Sequence, residues 1–190
     1  MKNTKTTRLV TGAVILALST ILSLVQLNKL PFGGSLTLLS MLPICLYSYR
    51  YGLRWGAGVA FTYSVMQLML DIGPALSWGL SPGLWVGMIL LDYLLAFTAL
   101  ALGGIFCKLP FGLPMGVLLA LCTRYACHIA SGVFLWKSTG EVAGIVIENV
   151  WLYSLAYNGL YMIPEIIATT IAAVILAALP QMRRYITPIC

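Results

Sequence analysis

The sequence predicts an all-α integral membrane protein of six transmembrane helices, and three observations carry that prediction. First, 61% of the 190 residues are hydrophobic and only 8% are charged. Soluble domains carry about 25% charged and 45–50% apolar residues, so the excess apolar surface here must face lipid. Second, apolar runs recur at lengths near the roughly 20 residues that a bilayer-spanning helix needs. Third, basic residues gather in alternate connections, as they do in membrane proteins of fixed orientation. With five acidic residues in all, little remains to solvate extramembrane regions, and residues 1–190 are expected to form a single membrane domain.

Six apolar stretches are separated by turn-forming residues: 9–27, 35–49, 55–72, 84–106, 113–136 and 149–179. The first follows Lys2, Lys5 and Arg8 like a signal sequence, but it is long enough to span and no small-x-small cleavage site follows it. The second is short and must be buried, tilted or extended into its loop. The last contains Pro164, which should kink or locally unwind it. Between the runs lie Pro31-Phe32-Gly33-Gly34, Gly73-Pro74, Ser81-Pro82-Gly83 and Pro110-Phe111-Gly112-Leu113-Pro114, all turn chemistry. No internal repeat of the kind found in inverted-repeat transporters is evident.

The net charge of +6 reflects orientation, and no nucleic-acid partner is expected. With the N-terminus inside, the inner segments hold Lys2, Lys5, Arg8, Arg50, Arg54, Lys108, Arg183 and Arg184. The outer segments hold Lys29 and Lys137 with Glu141 and Glu148. The asymmetry predicts N-in and C-in, and fits a multi-pass protein of a bacterial plasma membrane. The five cysteines show no CxxC pair or zinc spacing and read as small apolar residues. No metal site, cofactor or catalytic group is expected.

Ionisable residues inside the hydrocarbon region are costly, so each is a functional candidate. Asp92, Arg124, His128 and Glu165 qualify, and Asn158 adds a buried amide. At 1.5 Å rise per residue, Asp92, His128 and Asn158 each lie roughly 12 Å below the outer end of their helices. Three polar groups on three helices thus share one layer, which points to a cavity open to the outside. His128, Gly132 and Trp136 follow at i, i+4, i+8 on one face, with Gly132 expected to leave room for a flat ring. Asn149, Tyr153 and Asn158 descend the last helix in a similar stripe. A carboxylate, an imidazole, an amide and an aromatic wall would suit a planar, nitrogen-rich cation. The plainer alternatives are that Asp92 pairs with Arg124, that Asn158 ties helices together, and that Trp136 and Tyr153 belong to an interfacial belt. Glu165 reads as a structural partner of Arg124 or of backbone N–H groups freed by Pro164.

Four segments in order carry a resemblance that covers nearly the whole chain. They are Gly34-Ser35-Leu36-Thr37…Met41-Leu42-Pro43, Leu91-Asp92-Tyr93-Leu94-Leu95-Ala96-Phe97, Arg124-Tyr125…His128…Ser131-Gly132…Phe134…Trp136 and Tyr153-Ser154-Leu155-Ala156-Tyr157-Asn158-Gly159…Pro164-Glu165. Together they resemble the thiamine-specific substrate-binding subunits of energy-coupling-factor transporters. The resemblance implies a six-helix protein that binds thiamine with high affinity near the extracellular side. It implies delivery through a shared module of one transmembrane coupling protein and two ATPase subunits. Carried over by motif, Asp92, Tyr93, His128, Gly132, Trp136, Tyr153 and Asn158 are expected to line the thiamine pocket. Ala13 and Ala17, in a small-xxx-small stripe on the first helix, are expected to contact the coupling protein. The family usually has glutamate where this chain has Asp92. It often has a tryptophan in the first outer loop, which here reads Asn28-Lys29-Leu30-Pro31-Phe32. The third outer loop, around Trp78 and Trp85, aligns poorly and contributes no expected site residue.

The expected function is therefore ligand capture without chemistry. No GxxxxGK[ST] phosphate loop exists in the chain, so ATP would be hydrolysed by partners. The alternative is a stand-alone transporter of a small cationic heterocycle, with Asp92, His128 and Glu165 relaying protons. An intramembrane enzyme is disfavoured, because His128 has no Ser or Cys partner in a suggestive motif.

Overall fold

The computed structural model describes residues 4–30, 33–37 and 39–189. Phe32, Lys2 and Cys190 lie outside these, as do the side chains of Arg183 and Arg184. The elements in chain order are α1 (Lys5–Leu24), β1 (Gln26–Leu30), β2 (Gly33–Thr37), α2 (Leu42–Tyr51) and α3 (Leu53–Leu76). Then come α4 (Pro82–Gly104) and α5 (Gly112–Trp136). The chain ends in β3 (Gly140–Val142), β4 (Ile145–Ile147), α6 (Val150–Ala178) and α7 (Pro180–Ile186). Among the described residues, α1, α3, α4, α5 and α6 are long and apolar enough to cross a membrane.

On α1 and α6 the bulky apolar residues lie outside and small or polar ones inside. On α1 the buried residues are Gly12, Ser19 and Ser23, while Leu9, Val14 and Ile21 are exposed. On α6, Ile167, Ile171 and Ile175 face outward, whereas Asn158, Glu165 and Thr169 are buried. Small and polar residues at helix contacts, with bulky apolar ones outside, are the pattern that lipid selects.

The stretch 35–49 does not form one helix. It divides into β2 and the ten-residue α2, whose length at 1.5 Å per residue is about 15 Å, half a hydrocarbon core. Pro43 fixes the upper limit: its ring is tolerated only in the first turn of a helix, and that is where it lies. The expected burial is present, with Ile44, Cys45 and Ser48 fully enclosed. The hydroxyl of Ser48 donates to the Ala101 carbonyl at 2.5 Å, tying α2 to the end of α4. Above α2, β1 and β2 pair as an antiparallel hairpin with two irregularities in register. The contacts of α2 bring the start of α1 and the last described residues to one end of the bundle. There Tyr47 Oη donates to the Arg8 carbonyl at 3.0 Å, and the Ile189 N–H donates to the Arg50 carbonyl at 2.7 Å.

Caps set the remaining boundaries. Ser81 Oγ accepts from Leu84 N and is followed by Pro82, the favoured start for α4. Asn149 Oδ1 accepts from the N–H groups of Trp151 and Leu152 and opens α6. That helix runs through Pro164 without unwinding. Cys45, Cys122 and Cys127 are free thiols, but Cys107 is disulfide-bonded, so the reading of the cysteines as merely small and apolar fails there.

Candidate functional site

Two helices depart from α geometry where they carry polar groups. Residues Ile89–Leu95 of α4 and Gly132–Trp136 of α5 form π turns, a local widening often found at functional sites. Asp92 sits in the first and Trp136 ends the second. The result is a carboxylate gripped by one neighbouring helix. Asp92 Oδ1 lies 3.0 Å from His128 Nδ1, and Oδ2 accepts from Ser131 Oγ at 2.5 Å and from Trp136 Nε1 at 3.3 Å. With Nδ1–H donating to the carboxylate, Nε2 of the neutral ring is an acceptor; it is buried and has no hydrogen-bond partner.

A single cavity takes in all seven residues expected from the motifs: Asp92, Tyr93, His128, Gly132, Trp136, Tyr153 and Asn158. Their contacts overturn the expectation for Gly132 and decide between the alternatives for Asn158 and Asp92. Asn158 ties α5 to α6, because Nδ2 donates to the His128 carbonyl (3.4 Å); within α6 it also donates to the Ser154 carbonyl (2.9 Å), and Oδ1 accepts from Tyr161 Oη at 2.8 Å. Only the second lone pair of Oδ1 is left for another partner. Gly132 does not hold space open for a ring; a Cβ there would collide with the Ser154 side chain, so its missing side chain lets α6 approach α5. Asp92 does not pair with Arg124. The guanidinium stacks on the Phe97 ring at 4.2 Å and points Nη1 at the Met41 sulfur, leaving Nε buried without a partner.

Several wall residues were not anticipated. Trp78, from the poorly aligned loop, lines the cavity and meets Trp136 edge-on, with ring centroids 5.8 Å apart. Tyr157 stacks against Tyr153 at 5.8 Å and continues the aromatic wall. A second carboxylate, Asp71, also faces the cavity and accepts from Tyr93 Oη at 3.2 Å. Tyr63, Gln67 and Asp71 stand at i, i+4, i+8 on α3, a periodicity present in the sequence that would have found them.

The hairpin closes one side. Gln26, Gly34, Ser35 and Thr37 all contribute to the cavity. Gly34, at φ +66°, lies flat on the Tyr161 ring, and a Cβ would come within 2.7 Å of it. The Thr37 N–H donates to Glu165 Oε2 at 2.8 Å, and its hydroxyl lies 3.2 Å from Oε1. Glu165 is thus the partner of a backbone N–H from the hairpin, not of Arg124 or of groups freed by Pro164, and it stands outside the cavity lining. The floor is Met41, Tyr63, Phe97 and Arg124. Beneath it Ile44, Leu100, Val117, Ala120 and Leu121 are fully buried. Ala13 and Ala17 are exposed on α1, away from this site.

Comparison with known proteins supplies the family. Residues 9–184 match the model of a family described as thiamine transporter protein (Thia_YuaJ). The chain belongs to that family. Among curated members, thiamine transporter ThiT of Bacillus subtilis (strain 168) is 30% identical over 187 residues, covering 90% of this chain and 89% of the relative. Thiamine transporter ThiT of Lacticaseibacillus paracasei is 25% identical over 158 residues, covering 75% and 73%. The solved structure of ThiT from Listeria monocytogenes superposes with a TM-score of 0.70 at 20% identity, covering 95% of this chain and 98% of that one. At that identity the likeness concerns the fold. Like the family, the chain is a multi-pass membrane protein.

Proposed function

We propose that this chain is the thiamine-binding subunit of an energy-coupling-factor uptake transporter, taking thiamine from the extracellular side with high affinity. The observation that carries the reading is the Asp92 carboxylate, held by His128, Ser131 and Trp136 in the wall of an aromatic-lined cavity. A carboxylate fixed by three donors keeps its charge aimed at one place, and an aromatic face attracts a cation further. The thiazolium ring rests on the indole face of Trp136, beside the Asp92 carboxylate that the same indole N–H holds. The unpartnered His128 Nε2 accepts from the aminopyrimidine amine, and the free lone pair of Asn158 Oδ1 offers a second acceptor.

The end of the bundle beneath the floor faces the cytoplasm. Lys5, Arg8, Arg50, Arg54 and Lys108 lie at that end, and the positive-inside rule favours it. No phosphate loop occurs in the sequence, so release depends on a coupling protein and two ATPase subunits that tilt or turn the loaded subunit. Exposed Ala13 and Ala17 offer the coupling protein a surface that allows close backbone approach.

The deciding experiment is a thiamine titration of the detergent-purified chain, followed by intrinsic tryptophan fluorescence. Trp78 and Trp136 stand in the cavity wall, so binding should give a saturable change at sub-micromolar thiamine. No saturable response would sink the reading. The alternative, a proton-coupled transporter using Asp92, His128 and Glu165, draws support from the Asp92–His128 contact. Against it, Glu165 is bonded to Thr37 and does not line the cavity. Uptake by the chain alone in liposomes under a pH gradient would favour that alternative.

A further inference from the structure

The end of the bundle beneath the cavity floor holds another cleft, apolar and separate from the ligand cavity. Its volume of about 620 Å³ lies within the range of small-molecule sites. Tyr49 of α2, Leu109 and Phe111 of the turn before α5, Val174 and Ala178 of α6 and Ile186 of α7 line it. The turn that presents Phe111 is fixed. Phe111 stands at φ +57°, which a bulky residue seldom adopts. The Gly112 N–H donates to the Leu109 carbonyl at 3.0 Å, and a Cβ on Gly112 would collide with the Phe106 carbonyl. Phe111 is nonetheless 77% exposed, so the fold holds a large apolar residue open beside an apolar cleft.

Three observations point to the occupant. The cleft opens onto the lipid-facing surface: Ile167, Ile171 and Val174 share one face of α6, and all three are exposed. The chain's own tail is a wall of the cleft and not its filling, because the Ile189 N–H is pinned to the Arg50 carbonyl at 2.7 Å. The bordering charges are all basic. Arg50 follows Tyr49, exposed Lys108 precedes Leu109, and α7 carries Arg183 and Arg184 in its sequence. None of the five acids falls within 45–54, 104–116 or 174–190. We propose that this cleft seats an acyl chain of an anionic phospholipid, whose phosphate meets the basic rim around Lys108. Basic pockets between membrane helices take anionic headgroups at the cytoplasmic side, which is where the proposed orientation puts this end. A zwitterionic lipid gains the apolar contacts alone.

The test is native mass spectrometry of the full chain released from nanodiscs of phosphatidylglycerol and phosphatidylcholine, mixed equally and with identical acyl chains. The wild-type chain should retain phosphatidylglycerol over phosphatidylcholine by about threefold or more, and Lys108→Glu should at least about halve that preference. Ala178→Trp, which fills the cleft, should remove the retained lipid while the helical circular-dichroism signal stays as in the wild type. Equal retention of the two lipids by the wild-type chain overturns the proposal, and so does retention unchanged in both variants. An Ala178→Trp chain that keeps the lipid but no longer supports uptake with the coupling module overturns it too, and makes the cleft a protein-docking surface. If Ala178→Trp does not fold, Lys108→Glu, at an exposed position, decides alone. Both faces of the disc carry the same lipids, so the outcome depends neither on the orientation of the chain nor on thiamine binding.

Discussion

The backbone N–H of Thr37, in a hairpin strand, donates to the carboxylate of Glu165, fifteen residues into the longest helix, across 2.8 Å. At 1.5 Å per residue this contact lies roughly 22 Å along α6 from its start, at membrane depth. Non-helical backbone survives there only when protein satisfies it. Glu165 is 1% exposed, and it supplies that acceptor, so a costly buried acid and a costly buried strand end solve each other's problem.

Replacing Glu165 with leucine should release the hairpin. An unsatisfied buried N–H costs about 1–3 kcal/mol, and the hairpin lines the cavity. A lowered unfolding temperature should accompany a faster thiamine off-rate in stopped-flow fluorescence. Glu165→Gln keeps one acceptor oxygen and should fall between. Unaltered dissociation in the leucine variant would show that the contact does not govern closure.

Asp92→Asn removes the charge while nearly keeping the shape. His128, Ser131 and Trp136 all bond to that carboxylate, so the wall loses its counter-charge and exchanges one of two acceptor oxygens for an NH2 donor facing other donors. Equilibrium thiamine affinity should drop at least about tenfold, or 1.4 kcal/mol, with the helical circular-dichroism signal retained. Trp136→Ala should do the same through lost stacking.

Gly132→Ala places a Cβ on the Ser154 side chain. Overpacking of this kind costs about 1–3 kcal/mol. The double variant with Ser154→Ala should recover part of the loss, because neighbouring changes are not additive. Thermal unfolding of the two single variants and the double variant measures the coupling; strict additivity would mean that the contact is not the cause.

Ala13→Trp addresses delivery separately from capture. Ala13 is exposed on α1 and lines no part of the cavity. The purified variant should bind thiamine as the wild type does, and cells carrying it with the coupling module should take up little. Lost binding in the purified variant would contradict this division.

The membrane class and the depth layer of Asp92, His128 and Asn158 were legible because composition and rise per residue are properties of single helices. What sequence hid depends on neighbours. Periodicity put Gly132 on the right face but gave no hint that Ser154 fills the space above it. Asn158 announced itself as polar, yet its bond to the His128 carbonyl emerges only when α5 and α6 pack. Asp71 stands at the end of the 55–72 run, where a carboxylate needs no explanation; its spacing from Gln67 and Tyr63 was the overlooked clue. The strands β1 and β2 straddle the end of the 9–27 run, the turn residues after it and the start of the 35–49 run, so no one stretch announced them, and Pro43 was the signal that a helix could not fill 35–49.

The half-length α2 has a consequence for traffic. A strand pair occupies the volume above it, and Ile44, Leu100, Val117, Ala120 and Leu121 are packed without exposure below the cavity floor. On the proposed reading the site is a cup, not a tunnel, and inward passage of the cargo calls for the cup itself to be tipped over.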